Sequence, residues 1–268
     1  MHKRTAVLRA SKRAYDQLRP LKVTYGVYPN ASGSTLFELG NTKILCSVNI
    51  QQGVPHFLRQ KRMGWLTAEY SLLPSSTPVR TVREITANKR SGRVIEISRL
   101  IGRSLRAVVD LSVLADQTIF IDCDVLQADG GTRTASITAA FLALRAADEL
   151  YRRKGIISRS FIRDDLAAIS VGVGSKGPLL DMDFKEDSMT DADYNFILTR
   201  SGTIVEIQGC AERQPITWED YEEMRLLAVQ GAQELFFFYD SHTQQEASPD
   251  SSFSHITPLV TPAVVDER

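Results

Sequence analysis

The chain has 268 residues, and its 32 Lys and Arg balance 32 Asp and Glu, for a formal charge of zero. That balance excludes a uniformly polybasic, histone-like protein but permits local patches of either sign. With 43% hydrophobic and 24% charged residues, the composition is that of a folded protein with a substantial core rather than a disordered chain.

Residues 1–20 are basic and without pattern. From Leu21 the segments LKVTYGV, STLFELG and TKILCSVNI read as strands, the last two joined by a turn at Gly40-Asn41. A further strand is expected within 64–73, followed by a loop over 74–91 rich in Pro, Ser, Thr and Arg. Ile97, Leu100, Ile101, Leu105 and Val108 recur at helical spacing and predict a helix over 92–110, with Arg99, Arg103 and Arg106 on another face. TIFIDCDVL predicts a buried strand over 117–126, and a glycine turn leads into a helix over 133–153. Strands are expected at 166–173, 178–184 and 203–208, then a helix from Trp218 to Phe238. The halves 21–112 and 117–238 each read as strands followed by a helix, which hints at duplication, although no sequence repeat is evident. Residues 1–240 are expected to form the folded unit, and 241–268, rich in Ser, Thr and Pro, a disordered tail.

Cys46, Cys123 and Cys210 are too few and too far apart for a disulfide framework or a CxxC zinc site, and the first two lie in apolar runs. The stretch MHKRTAVLRASKR lacks a secretory apolar region, and no run approaches the ~18 apolar residues of a membrane span. A reducing, cytoplasmic setting is expected. Of the four histidines, His2, His242 and His255 lie near the ends, which disfavours a Ser-His-Asp hydrolase or a multi-histidine metal site. His56 reads as a loop residue.

Three local features carry chemistry. In LQADGGTRTAS, at a strand-to-helix junction, Gly130 and Gly131 allow a tight turn and close backbone approach. The following helix N-terminus favours an anion, Arg133 adds a bidentate fork, and Thr132 and Thr134 add hydroxyl donors. The plainer alternative is a turn with Asp129 or Thr132 as the helix cap. No Walker A sequence is present. The second feature is an acidic run from Leu180 to Asp193, holding six acids and one base. Asp181 and Asp183 are expected on one strand face, and a Mg²⁺ ion would relieve the repulsion; a solvated acidic loop is the alternative. The third is a net charge of +8 between Arg59 and Arg106, suited either to an RNA backbone or, for the helical arginines, to ion pairs with Glu96 or across a subunit interface.

Taken together, residues 10–238 resemble the RNase PH family of phosphate-dependent exoribonucleases. The strings that carry this are GWLTAEYSLLP, REITANKRSGRVIEISRLIGRSLRAVVDL, IDCDVLQADGGTRTASITAAFLAL, KEDSMTDADYNFILT and VEIQGCAE. The resemblance implies an α+β fold, two related β/α halves with sheets packed on helices, similar to the second domain of ribosomal protein S5. It implies 3′→5′ trimming of tRNA precursors, with the terminal nucleotide transferred to inorganic phosphate and released as a nucleoside diphosphate. Arg93, Gly131, Thr132 and Arg133 would hold phosphate, Asp187 and Asp193 would be the catalytic carboxylates and hold Mg²⁺, and Arg80 and Arg83 would contact tRNA. A homohexameric ring, a trimer of dimers, is also implied. Three departures stand out: Ser75 where the family often has Arg, Cys210 where it has Thr, and a tail without counterpart. A non-catalytic ring subunit would lack part of this residue set, and a hydrolytic nuclease would leave the paired arginines without a purpose.

Overall fold

The computed structural model describes residues 9, 11–83, 86, 91–174 and 177–246, with backbone only for 243–246. Along β3 (Thr42–Gln52), Thr42, Ile44, Cys46 and Val48 are buried and their neighbours half-buried, the period-2 pattern of a strand with one face on a core. It joins β1 (Leu21–Tyr25), β2 (Gly33–Leu39), β4 (Trp65–Leu72) and β5 (Gln117–Gln127) in a sheet of order β1-β2-β3-β5-β4. Gly40-Asn41 forms the expected β2–β3 turn, with Gly40 at φ +57°. Strand β4 runs parallel to β5, so the chain crosses over between them through α1 (Gly92–Val108). A second, antiparallel sheet holds β6 (Leu166–Gly174), β7 (Gly177–Leu180), β8 (Ala192–Thr199) and β9 (Ile204–Ala211) in the order β7-β6-β8-β9.

Helix α2 (Thr132–Arg153) packs on β2 and β3 of the first sheet and β6 of the second. Its run from Ala139 to Leu144 is buried on every side, as a helix hydrophobic all round must be. The expected α+β architecture is therefore present. The one-turn helix α3 (Phe184–Asp187) follows β7, and α4 (Trp218–Glu246) covers the second sheet, with Tyr239 donating to the Leu166 carbonyl at 3.0 Å.

Several elements differ from expectation. Strand β7 stops at Leu180 because Asp181 turns the chain at φ 50°, and Asp183 caps α3 in a reciprocal box with Glu186. Asp181 and Asp183 thus do not share a strand face. Strand β8 begins within the acidic run, and α4 continues beyond Phe238 and residue 240 to Glu246. The tail from 247 onward, and Lys89 and Arg90, lie outside the described residues. Cys46 and Cys123 face each other across β3 and β5 with Sγ atoms 3.6 Å apart, as buried free thiols. Arg103 pairs with Glu206 on β9, and Arg106 donates to the Leu66 carbonyl at 2.9 Å and lies 4.8 Å over the Trp65 ring. Glu96 is not a partner of either.

The N-terminal segment is more than a basic lead-in. Arg9, Arg13 and Arg19 are buried and reach the acidic run: Arg9 holds Glu186 through both carboxylate oxygens, and Arg13 lies 3.6 Å from Asp181. Arg19 forks onto Asp181 (Nε to Oδ2 3.0 Å, Nη2 to Oδ1 2.7 Å), and its amide adds a third bond at 2.8 Å. The same guanidinium donates to the carbonyls of Asp129 and Gly130. Removing one partner of a buried pair strands the other charge. Arg19→Met is expected to cost about 3–5 kcal/mol in urea unfolding. Lys22→Met, at an ion pair whose lysine side chain is 71% exposed, is expected to cost less than about 1 kcal/mol.

Candidate active site

A cleft of about 1140 Å³ opens between the loop after β4, the N-termini of α1 and α2, α3 and β8. The order in which the chain builds it explains why these walls meet. Gly130 (φ 78°) and Gly131 (φ 65°) place two successive residues in the left-handed region before α2. A Cβ on Gly130 would lie 2.6 Å from the Met182 carbonyl oxygen and 2.8 Å from the Phe184 nitrogen, so the turn is pressed against the β7–α3 connection. That contact brings α3, and with it Asp187, beside the start of α2.

Gly131 itself is the N-cap of α2, so neither Asp129 nor Thr132 caps it. The Asp129 carboxylate instead accepts from Asn41 Nδ2 at 3.0 Å and from the Phe184 amide at 3.4 Å. The first amides of α2 have no intrahelical acceptor and face a helix N-terminus suited to an anion. Thr134 is spoken for, since its hydroxyl donates to the Gly131 carbonyl at 3.0 Å. Thr132 Oγ1 accepts from the phenol of Tyr70 at 3.0 Å.

Arg133 lies 3.6 Å from Glu96, and its Nε is buried without a hydrogen-bond partner. Glu96 also accepts from Gln208 Nε2 at 2.8 Å. Arg93 is the second residue of α1, which is capped by Ser91 accepting from the Val94 amide at 3.2 Å. Across the cleft, Asp187 ends α3 and Asp193 projects from β8. Burial pushes the Asp187 carboxyl up, Asp193 and Glu212 add to it, and Arg133 and Arg93 oppose it. Asp193 is raised first by burial and then by Glu212, against the same two arginines.

Arg93, Gly131, Thr132, Arg133, Asp187 and Asp193 therefore line one cleft, and Arg83 joins them. Arg80 is exposed on the same loop but outside that lining. Sequence reasoning missed Tyr70, Glu96, Glu212 and Asn195. Asn195 lies two residues beyond Asp193 and so on the same face of β8, a strand the sequence pattern does not predict. The other three come from distant elements and had no local signal. No group of three or more His, Cys, Asp or Glu positioned to hold a metal occurs among the described residues.

Residues 17–148 match the 3′ exoribonuclease family, domain 1, and residues 166–231 match domain 2 of that family. Ribonuclease PH of Neisseria meningitidis serogroup B is 53% identical over 223 residues, 83% of this chain and 92% of the relative. Ribonuclease PH of Neisseria gonorrhoeae is 50% identical over 225 residues, 84% of this chain and 93% of its own. Among solved structures, the Archaeoglobus fulgidus exosome with RNA bound to the active site superposes with a TM-score of 0.73 at 22% identity, covering 86% of this chain and 92% of that one. Rice (Oryza sativa) Rrp46 gives 0.71 at 19% identity, over 87% and 99%. These two structural likenesses show the fold.

Because its carboxyl is raised in the folded state, Asp193 opposes folding once ionised, and that penalty fades as pH falls toward the ordinary carboxylate value near 3.9. Asp193→Asn is expected to raise Tm by about 2–4 °C at pH 7 without divalent cations, with the gain vanishing toward pH 4. Calorimetry at both pH values checks this.

Proposed function

The chain belongs to the 3′ exoribonuclease family as a phosphate-dependent exoribonuclease of the RNase PH type, and on that premise we propose how its cleft performs phosphorolysis of tRNA precursor 3′ ends. The observation that supports the reading is the meeting, in one cleft, of an arginine-lined helix terminus with a facing pair of carboxylates.

Phosphorolysis asks an anionic nucleophile to approach a phosphodiester within a polyanion. Arg93 and Arg133 bind and neutralise inorganic phosphate, and the amides and hydroxyl at Gly131 and Thr132 complete its cradle. The buried, unpartnered Nε of Arg133 supports this role, because Glu96 draws on the other end of the guanidinium. A phosphate oxygen attacks the phosphorus of the last phosphodiester. The bond from that phosphorus to the 3′ oxygen of the preceding nucleotide breaks. The products are a nucleoside diphosphate and RNA one nucleotide shorter. Fixing the anion beside the scissile bond supplies both orientation and effective concentration, which is how it competes with water.

Asp187 and Asp193 suit Mg²⁺, which is commonly held by one or two carboxylates together with substrate phosphates, and the repulsion by which Asp193 raises Asp187 fits such a partner. When bound, the ion would neutralise charge on the reacting phosphoryl oxygens. Asp193 either orients that ion as a carboxylate or, in its protonated form, which burial favours, delivers a proton to the departing 3′ oxygen. Arg83 at the cleft and Arg80, three residues earlier on the loop, meet the RNA backbone before it enters. We assign copies of the chain to a homohexamer, and exposed Ile204, Leu226 and Phe237 leave apolar surface free for contacts between them. The free, closely placed thiols of Cys46 and Cys123 fit a reducing cytoplasm, and no helix among the described residues is long and apolar enough to cross a membrane.

A trimming assay on a tRNA precursor with Mg²⁺, run with and without phosphate, tests the reading. Nucleoside diphosphates are expected only with phosphate, and Arg133→Ala is expected to lose about 10²–10³-fold in phosphate-dependent turnover. Monophosphates released without phosphate, or normal phosphate dependence in the variant, would overturn it.

A further inference from the structure

Tyr70 lies on β4, opposite Cys123 of β5, with only 2% of its surface exposed. Its amide donates to Ser98 Oγ of α1 at 3.0 Å, so the residue is fixed to two neighbouring elements. From this rigid seat its phenol reaches Thr132, which lines the cleft, and donates to its Oγ1 at 3.0 Å. A threonine hydroxyl carries one proton and two lone pairs. The phenol proton occupies one lone pair of Thr132, which leaves the hydroxyl's own proton to be donated elsewhere. Thr132 is the first residue of α2, so the carbonyl four residues back, which a mid-helix threonine would engage, lies outside the helix. Its neighbour Thr134 shows the contrasting case, with its proton given to the Gly131 carbonyl.

We infer that Tyr70 is a positioning residue for the phosphate co-substrate: by donating to Thr132 Oγ1 it turns the threonine into a fixed donor aimed at the bound anion. The inference rests on the reading of Thr132 as a phosphate contact. Burial holds the phenol above its usual titration range, so it remains a donor throughout the pH range of any assay near neutrality. Without the phenol, the Thr132 hydroxyl is free to rotate, and part of its population faces the vacated site rather than the anion.

The test uses the full chain with inorganic phosphate and RNA varied separately. Tyr70→Phe is expected to raise the KM for phosphate about three- to tenfold, the scale of one hydrogen bond, while the KM for RNA and kcat at saturating phosphate move less than about twofold. Thr132→Val is expected to raise the phosphate KM by at least as much. The double variant is expected to be no worse than Thr132→Val alone, because Tyr70 acts only through that hydroxyl. If Thr132→Val raises the phosphate KM and Tyr70→Phe does not, the positioning role is overturned and the phosphate cradle stands. If Thr132→Val leaves the phosphate KM unchanged, the cradle reading itself fails at this residue. Additive effects in the double variant, an equal rise in both KM values, or loss of folding in Tyr70→Phe would make the tyrosine a packing residue and overturn the proposal.

Discussion

The fork of Arg19 on Asp181 is the interaction on which the geometry of the cleft depends. A buried ion pair is a poor source of stability, because desolvating both charges offsets most of their attraction. This one does more than pair charges. The same guanidinium collects the carbonyls of Asp129 and Gly130, which a left-handed Gly-Gly turn leaves without ladder partners, and Thr42 Oγ1 donates to the Gly130 carbonyl at 2.8 Å from the other side. Asp181, itself at φ 50°, sits at a conformation costly for a residue with a Cβ and is held there by three hydrogen bonds from Arg19. One side chain therefore fixes the N-terminal segment, the turn before α2 and the segment leading to α3. A lysine could supply the charge but not a planar fork with donors in several directions.

The fate of the six acids between Leu180 and Asp193 follows from this arrangement. Asp181 and Glu186 are neutralised by Arg9, Arg13 and Arg19, so no metal is needed to relieve them. Asp183 is consumed in capping α3. Asp191 precedes β8 and its backbone pairs with Val173, Glu212 and Arg213. Of the six, only Asp187, exposed at the end of α3, and half-buried Asp193 line the cleft, both raised and opposed by Arg93 and Arg133. Local charge density in the sequence overstated the repulsion at the site, because most of it is cancelled from a segment more than 160 residues away in the chain (Arg19 to Asp181, for instance, at a separation of 162).

What could be read from the sequence and what could not divides along physical lines. Periodicity located α1 through Ile97, Leu100, Ile101 and Leu105, and alternation located β3 and the Gly40-Asn41 turn, because these signals are local. The strand at β8 was masked because its first residues are acidic, and its apolar portion, Phe196 to Leu198, is short. The stop of β7 could not be seen, since the cause is an ion pair with Arg19 rather than a proline or glycine. The basic N-terminal stretch carried no signal of its own: arginines read as solvated unless their distant carboxylates are known. At the cleft, Gly130, Gly131 and Arg133 were legible from backbone chemistry. Tyr70 and Glu96 were not, since each touches α2 only after the parallel β4–α1–β5 crossover is formed.

The same division bears on how a protein of zero net charge handles a polyanion. Arg83, Arg93 and Arg133 line the cleft together with Asp124, Asp187 and Asp193, so the site offers little net attraction to RNA. In the proposed function that attraction comes from the loop after β4, where Arg80 lies outside the lining and Arg83 within it, beside exposed Val79 and Val82. Exposed arginines that contact phosphates act through counterion release and are weakened by salt, whereas Arg133, whose side chain is three-quarters buried and tied to Glu96, is screened far less. In the function proposed here, capture of RNA and activation of phosphate are thus carried by different arginines with different ionic-strength dependence. Rising salt should weaken the hold on RNA well before it weakens the hold on phosphate, and this separation follows from burial alone.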